Sequence, residues 1–72
     1  MTGGARSYEL TDGQLEALVL ASHGLTQAQI AKRLSVEVVA VHDRLKACRR
    51  KLGGARNTTH AVATALRHGV IR

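Results

Sequence analysis

The feature that most constrains this chain is a single apolar stripe in its second half. Val38, Val41, Leu45, Cys48 and Leu52 follow one another at steps of three, four, three and four residues, the spacing that places side chains along one side of an α-helix. The pattern predicts one unbroken helix from Val38 to Leu52, about four turns at 3.6 residues each. A chain of 72 residues is one domain, with a modest core near the lower size limit for independent folding. Hydrophobic residues make up 44% of it, enough for a compact fold and too many for a disordered tail.

Shorter helices are legible on either side. Thr11 with Gln14, and Thr26 with Gln29, have the spacing of capping boxes, in which a threonine hydroxyl and a glutamine side chain reciprocally satisfy free backbone N–H groups. The first opens a helix from about Asp12 to about Ser22, with Leu15, Leu18 and Val19 on its apolar side and Gly24 ending it. The second opens a short helix with Ile30, Ala31 and Leu34 turned inward. Only Ser35, Val36 and Glu37 then remain before Val38, too few for anything but a tight turn between crossed helices. Downstream, Gly53 and Gly54 break the long helix, and Asn57, Thr58 and Thr59 compete to cap a fourth whose apolar face is Val62, Ala65 and Leu66. Gly69 has the place of a left-handed C-terminal cap, after which Val70 and Ile71 can fold back. The expected fold is all-α with four helices over residues 10–72. Residues 1–9 read as a flexible arm.

Charge narrows the partner. Eleven Lys and Arg against five Asp and Glu give a formal net charge of +6, which attracts a polyanion. On the long helix, Val39, His42, Asp43, Lys46, Arg49 and Arg50 lie opposite the apolar stripe, with Arg44 and Lys51 on its shoulders. A basic face alone often does no more than solvate a helix. Here it follows a capped short helix and a three-residue turn, the arrangement that sets a long helix in the major groove with flanking cations on phosphates. Single-stranded nucleic acid is disfavoured because stacking platforms need aromatic rings and Tyr8 is the only one. A membrane surface is disfavoured because the core needs the apolar stripe, and neither a spanning run nor a signal-peptide core is visible.

Other chemistries find little support. Cys48 is the only cysteine, so no internal disulfide is expected, a reducing cytosol is the natural compartment, and the thiol's place on the stripe marks it as a core residue. His23, His42, His60 and His68 are dispersed without metal-ligand spacing. There is no nucleophilic triad pattern and no phosphate-cradling glycine loop, so neither an enzyme nor a cofactor is expected.

The run LTDGQLEALVLASHGLTQAQIAKRLSVEVVAVHDRLKACRRKLG, followed by THAVATALRHGVI, resembles the LuxR-type (GerE-like) helix-turn-helix family. The likeness covers residues 10–71 and rests on Leu10, Thr11, Glu16, Leu18, Leu20, Gly24, Leu25, Ile30, Ala31, Leu34, Val41, Leu45, Lys51, Leu52, Gly53, Ala61, Val62, Ala65 and Gly69. It implies a four-helix domain, transcriptional regulation, dimerisation through the last helix, and RNA polymerase or another regulator as a further partner. The stretch VHDRLKACRRKL is also similar to the end of region 4 of sigma factors, which binds promoter DNA but lacks a glycine-terminated fourth helix.

Carried over position by position, the resemblance assigns base reading to His42, Asp43 and Lys46. Phosphate contacts fall to Thr26 and Gln27, where free helix N-terminal N–H groups favour an anion, and to Arg44, Arg49, Arg50 and Lys51. Val62, Ala65 and Leu66 form the expected homodimer interface. The chain also departs from the family. Gly13 and Gln14 stand where Arg and Glu are usual, Gln29 replaces a usual Glu, and Glu37 and Ala40 replace the Ser and Thr around the start of the third helix, leaving Ser35 as its candidate cap. The loop GGARNT is one residue longer than usual and carries Thr58 where an Arg is common. Asp43 either accepts a hydrogen bond from a cytosine amino group or marks a weakened reader, in which case the fold serves as a protein-interaction module.

Overall fold

A computed structural model describes residues 9–72, and all regular structure among them is helical. The elements are α1 (Asp12–Ser22), α2 (Gln27–Leu34), α3 (Val38–Lys51) and α4 (Thr58–Arg67). The arm expected over residues 1–9 lies, Glu9 apart, outside the described residues.

The N-terminal caps form as their sequence implies. Thr11 Oγ1 accepts from the Gln14 N–H at 3.1 Å while Gln14 Oε1 accepts from the Thr11 N–H at 3.0 Å. Thr26 and Gln29 repeat the arrangement at 3.2 and 2.8 Å. Of the three candidate caps of α4, Asn57 is the one used: its Oδ1 accepts from the His60 N–H at 2.8 Å, and the His60 ring accepts from the Arg56 N–H at 3.3 Å. At α3 the cap position is Glu37, whose side chain makes no capping hydrogen bond.

Three of the helices end in the same way. After α1, α2 and α4 a residue turns left-handed, namely Gly24 (φ 89°), Ser35 (φ 58°) and Gly69 (φ 72°). The next N–H then reaches back to a carbonyl five residues earlier: Leu25 to Leu20 at 3.4 Å, Val36 to Ala31 at 3.0 Å and Val70 to Ala65 at 2.8 Å. This is the Schellman geometry, which characteristically throws the following apolar side chain inward. Leu25, Val36 and Val70 all pack against the core, and Ile71 is buried behind Val70.

Ser35 therefore closes α2 and does not cap α3, which corrects the expectation for that residue. The same turn displaces Val38 from the stripe. Val36 takes the inward position beside the core, while Val38, in the first turn of α3, is 47% exposed. The buried stripe starts at Val41 and runs through Leu45, Cys48 and Leu52.

α3 packs against each of the other three helices, and α1 does likewise. α2 and α4 lean on this central pair without touching each other. Ala17 and Leu18 of α1, Ile30 and Ala31 of α2, and Ala61 and Ala65 of α4 close around the α3 stripe. The alanines let helices approach closely where a short chain has few large side chains to fill space. No buried side-chain nitrogen or oxygen among the described residues lacks a hydrogen-bond partner.

Candidate nucleic-acid interface

α3 is split lengthwise by its burial. Opposite the stripe, Val39, His42, Asp43, Lys46 and Arg50 are exposed. At 3.6 residues per turn, Val39, Asp43, Lys46 and Arg50 fall within about 60° of one another around the axis, in a row roughly 16 Å long at 1.5 Å per residue. From the N-terminal end this row presents an apolar group, a carboxylate, an ammonium and a guanidinium. His42 flanks it, with Nδ1 3.6 Å from Asp43 Oδ1. Both groups are open to solvent, so the contact adds little to stability.

The remaining cations are placed differently from one another. Arg49 is half-buried beside the exposed row. Arg44 lies against α1: a Cβ built on Gly13 would stand 3.2 Å from Arg44 Cζ and 3.3 Å from its Nε. Glycine at position 13, where the resembled family usually has Arg, leaves the room that the Arg44 side chain uses.

Lys51 is engaged within the fold. Its Nζ donates to the Glu9 carbonyl and to Gln14 Oε1, both at 2.9 Å. The ammonium ties the end of α3 to the start of α1. Two of the three ammonium N–H groups of Lys51 are thus taken by acceptors of the chain itself.

At the start of α2, the capping box already takes the N–H groups of Thr26 and Gln29. The N–H groups of Gln27 and Ala28 are the first-turn donors left for an anion. Thr26 is exposed and Gln27 half-buried.

The expected dimer residues also separate. Ala65 is fully buried against the core, and Val62 is half-buried against it. Leu66, one residue and about 100° further round the helix, is 48% exposed and lies outside the buried core. Ala65 belongs to the interior, and of the three only Leu66 presents a large apolar side chain outward.

Burial pushes the Cys48 thiol up to about 11, and its Sγ donates to the Gln14 carbonyl at 3.3 Å. Among the described residues no three metal-ligating side chains come together. No helix there is long and apolar enough to cross a membrane.

Two features of this surface escaped the sequence pattern. The Lys51 contacts join residues 37 and 42 positions apart, a separation on which local periodicity is silent. The exposure of Val38 follows from the left-handed Ser35, a conformation more typical of glycine. A comparison of the chain with protein-family models, with curated proteins and with solved structures finds no match.

Proposed function

We propose that this chain is a sequence-specific, double-stranded-DNA-binding transcriptional regulator of the LuxR-type class it resembles, with α3 in the major groove. One observation carries the reading. The apolar stripe from Val41 to Leu52 is buried in the core, while Lys46 and Arg50 stand exposed on the other side of α3, behind a short helix and a three-residue turn. Groove reading needs such a helix, held from behind and cationic in front. His42, Asp43 and Lys46 are the base readers. Arg50, Arg49 and Arg44, with the Gln27 and Ala28 N–H groups, hold phosphates, and two copies pair on the outer side of α4 at Leu66.

Selection of binding sites from random duplex DNA tests this reading. An enriched motif supports it. Failure to enrich any sequence overturns it in favour of the protein-interaction alternative, which the exposed carboxylate of Asp43 in the middle of the cationic row favours.

A further inference from the structure

Val39 is the most exposed large hydrophobic residue among those described, at 65%, and Val38 beside it is exposed at 47%. Neither belongs to the buried core. Nothing in the fold calls for them. β-Branched residues are mediocre helix formers, and here two of them open a helix whose cap position makes no side-chain hydrogen bond. Local choices that oppose stability without a gain in packing are expected where a surface has another task.

The place of Val39 indicates that task. It shares the outward row with Asp43 one turn on, Lys46 two turns on and Arg50 three turns on. In the major groove each base edge offers donors and acceptors, and a methylated pyrimidine adds one apolar group, the C5-methyl. A row ordered as apolar, acceptor, donor and cation is complementary to that set. The apolar member comes from the N-terminal part of the helix, the part that approaches base edges in this motif.

We propose that Val39, supported by Val38, reads the C5-methyl group of a pyrimidine in the major groove. The inference rests on the DNA-binding reading above. It adds a fourth specificity residue to His42, Asp43 and Lys46 and names the chemical group recognised. The methyl belongs either to thymine or to 5-methylcytosine. One helical turn rises about 5.4 Å and one base step about 3.4 Å, so the methylated base lies within two base pairs of the position that Asp43 reads.

The test starts from the best duplex obtained by selection. Each thymine is replaced in turn by deoxyuridine, which removes only the methyl, and each cytosine by 5-methylcytosine, which adds it. Affinities are measured for the wild-type chain, Val39→Ala and Val39→Thr, with circular dichroism confirming that the variants are helical. At one position or more, the wild type should bind the methylated base about fourfold more tightly than its demethylated counterpart, the equivalent of burying one methyl group. Val39→Ala should abolish that preference. Val39→Thr, which keeps the shape and replaces a methyl with a hydroxyl, should reduce it.

The uracil arm identifies thymine and the methylcytosine arm identifies 5-methylcytosine. If selection enriches a motif but every methyl substitution is neutral, or Val39→Ala keeps the full preference, this inference falls while DNA reading stands. If no motif is enriched, both fall together.

Discussion

The ammonium of Lys51, in the last turn of α3, donates at 2.9 Å to the side-chain oxygen of Gln14, the same oxygen that closes the capping box of α1. One glutamine thus serves two helices whose ends are far apart in the chain. With its second bond to the Glu9 carbonyl, Lys51 should matter to stability. Lys51→Met keeps the apolar stem and removes the charge, and should lower unfolding free energy by about 1–2 kcal/mol in urea titration. Gln14→Glu should do the opposite. It keeps the capping box, faces a cation, and should add about 0.5–1 kcal/mol at pH 7. The Lys51 charge lowers the pKa of that carboxyl below the unfolded value of about 4.3, so the gain is present above that pH and is lost as pH falls through the lowered value.

A salt series should separate Lys51, engaged within the fold, from Arg50, the proposed phosphate contact. On duplex DNA, log affinity falls with log salt by about 0.9 for each phosphate neutralised. Arg50→Ala should flatten this slope by roughly one unit and weaken all sequences alike. Lys51→Met should leave the slope unchanged. Filter binding or fluorescence anisotropy across a salt series reads both, and equal slopes for wild type and Arg50→Ala would remove Arg50 from the phosphate contacts.

Reading differs from holding. Lys46 can donate to guanine O6 and N7, so Lys46→Ala should cost about 1–3 kcal/mol on the selected site and less on a scrambled duplex. Asp43→Ala removes an acid that repels phosphate. Binding to the scrambled duplex should tighten while discrimination at one base pair falls. Equal tightening on both duplexes would mean that Asp43 reads nothing.

Most of the helical frame was legible because its determinants are local. The threonine and glutamine pairs at 11 and 14 and at 26 and 29, the stripe from Val41 to Leu52, and the glycines at 24 and 69 each act within a turn of where they stand. What escaped depends on distance or on burial. Lys51 looked like one more surface cation until its partners Glu9 and Gln14, around the start of the first helix, were in place. Ala65 looked like part of an outer apolar face, but a small side chain of a short helix packs wherever the core can admit it most closely. Ser35 read as a cap by residue type, yet the turn required a left-handed residue there.

Leu66 and Ala65 give opposite expectations for neighbouring positions. Leu66→Ser should leave folding stability within about 0.5 kcal/mol of wild type, as for other surface substitutions, and shift any self-association measured by sedimentation toward monomer. Ala65→Leu should overfill the core and destabilise by about 1–3 kcal/mol. Unchanged self-association in Leu66→Ser would exclude this side of α4 as a pairing surface.

Cys48 supplies a pH test of the core. Burial raises its thiol from 9.0 to about 11, so the folded chain keeps a proton that the unfolded chain gives up. The associated stability is fully present below pH 9 and is lost as pH rises toward the folded value, a drop on the order of 2–3 kcal/mol. Cys48→Ala has no thiol to titrate. The difference between the two unfolding curves from pH 8 to pH 11 isolates the thiol from the lysines, and parallel curves would show that the site is not shielded from water.

α2 and α4 do not pack against each other, so their outward surfaces are separated by the central pair. Substitutions without shared partners add to within about 0.3–0.5 kcal/mol, so changes on the two surfaces should be energetically independent. A chain of 72 residues would ordinarily leave selection few positions to alter without disturbing all the others. Here the central pair insulates one flank from the other, and each can drift, acquire a new neighbour or be redesigned while the opposite flank stays as it was.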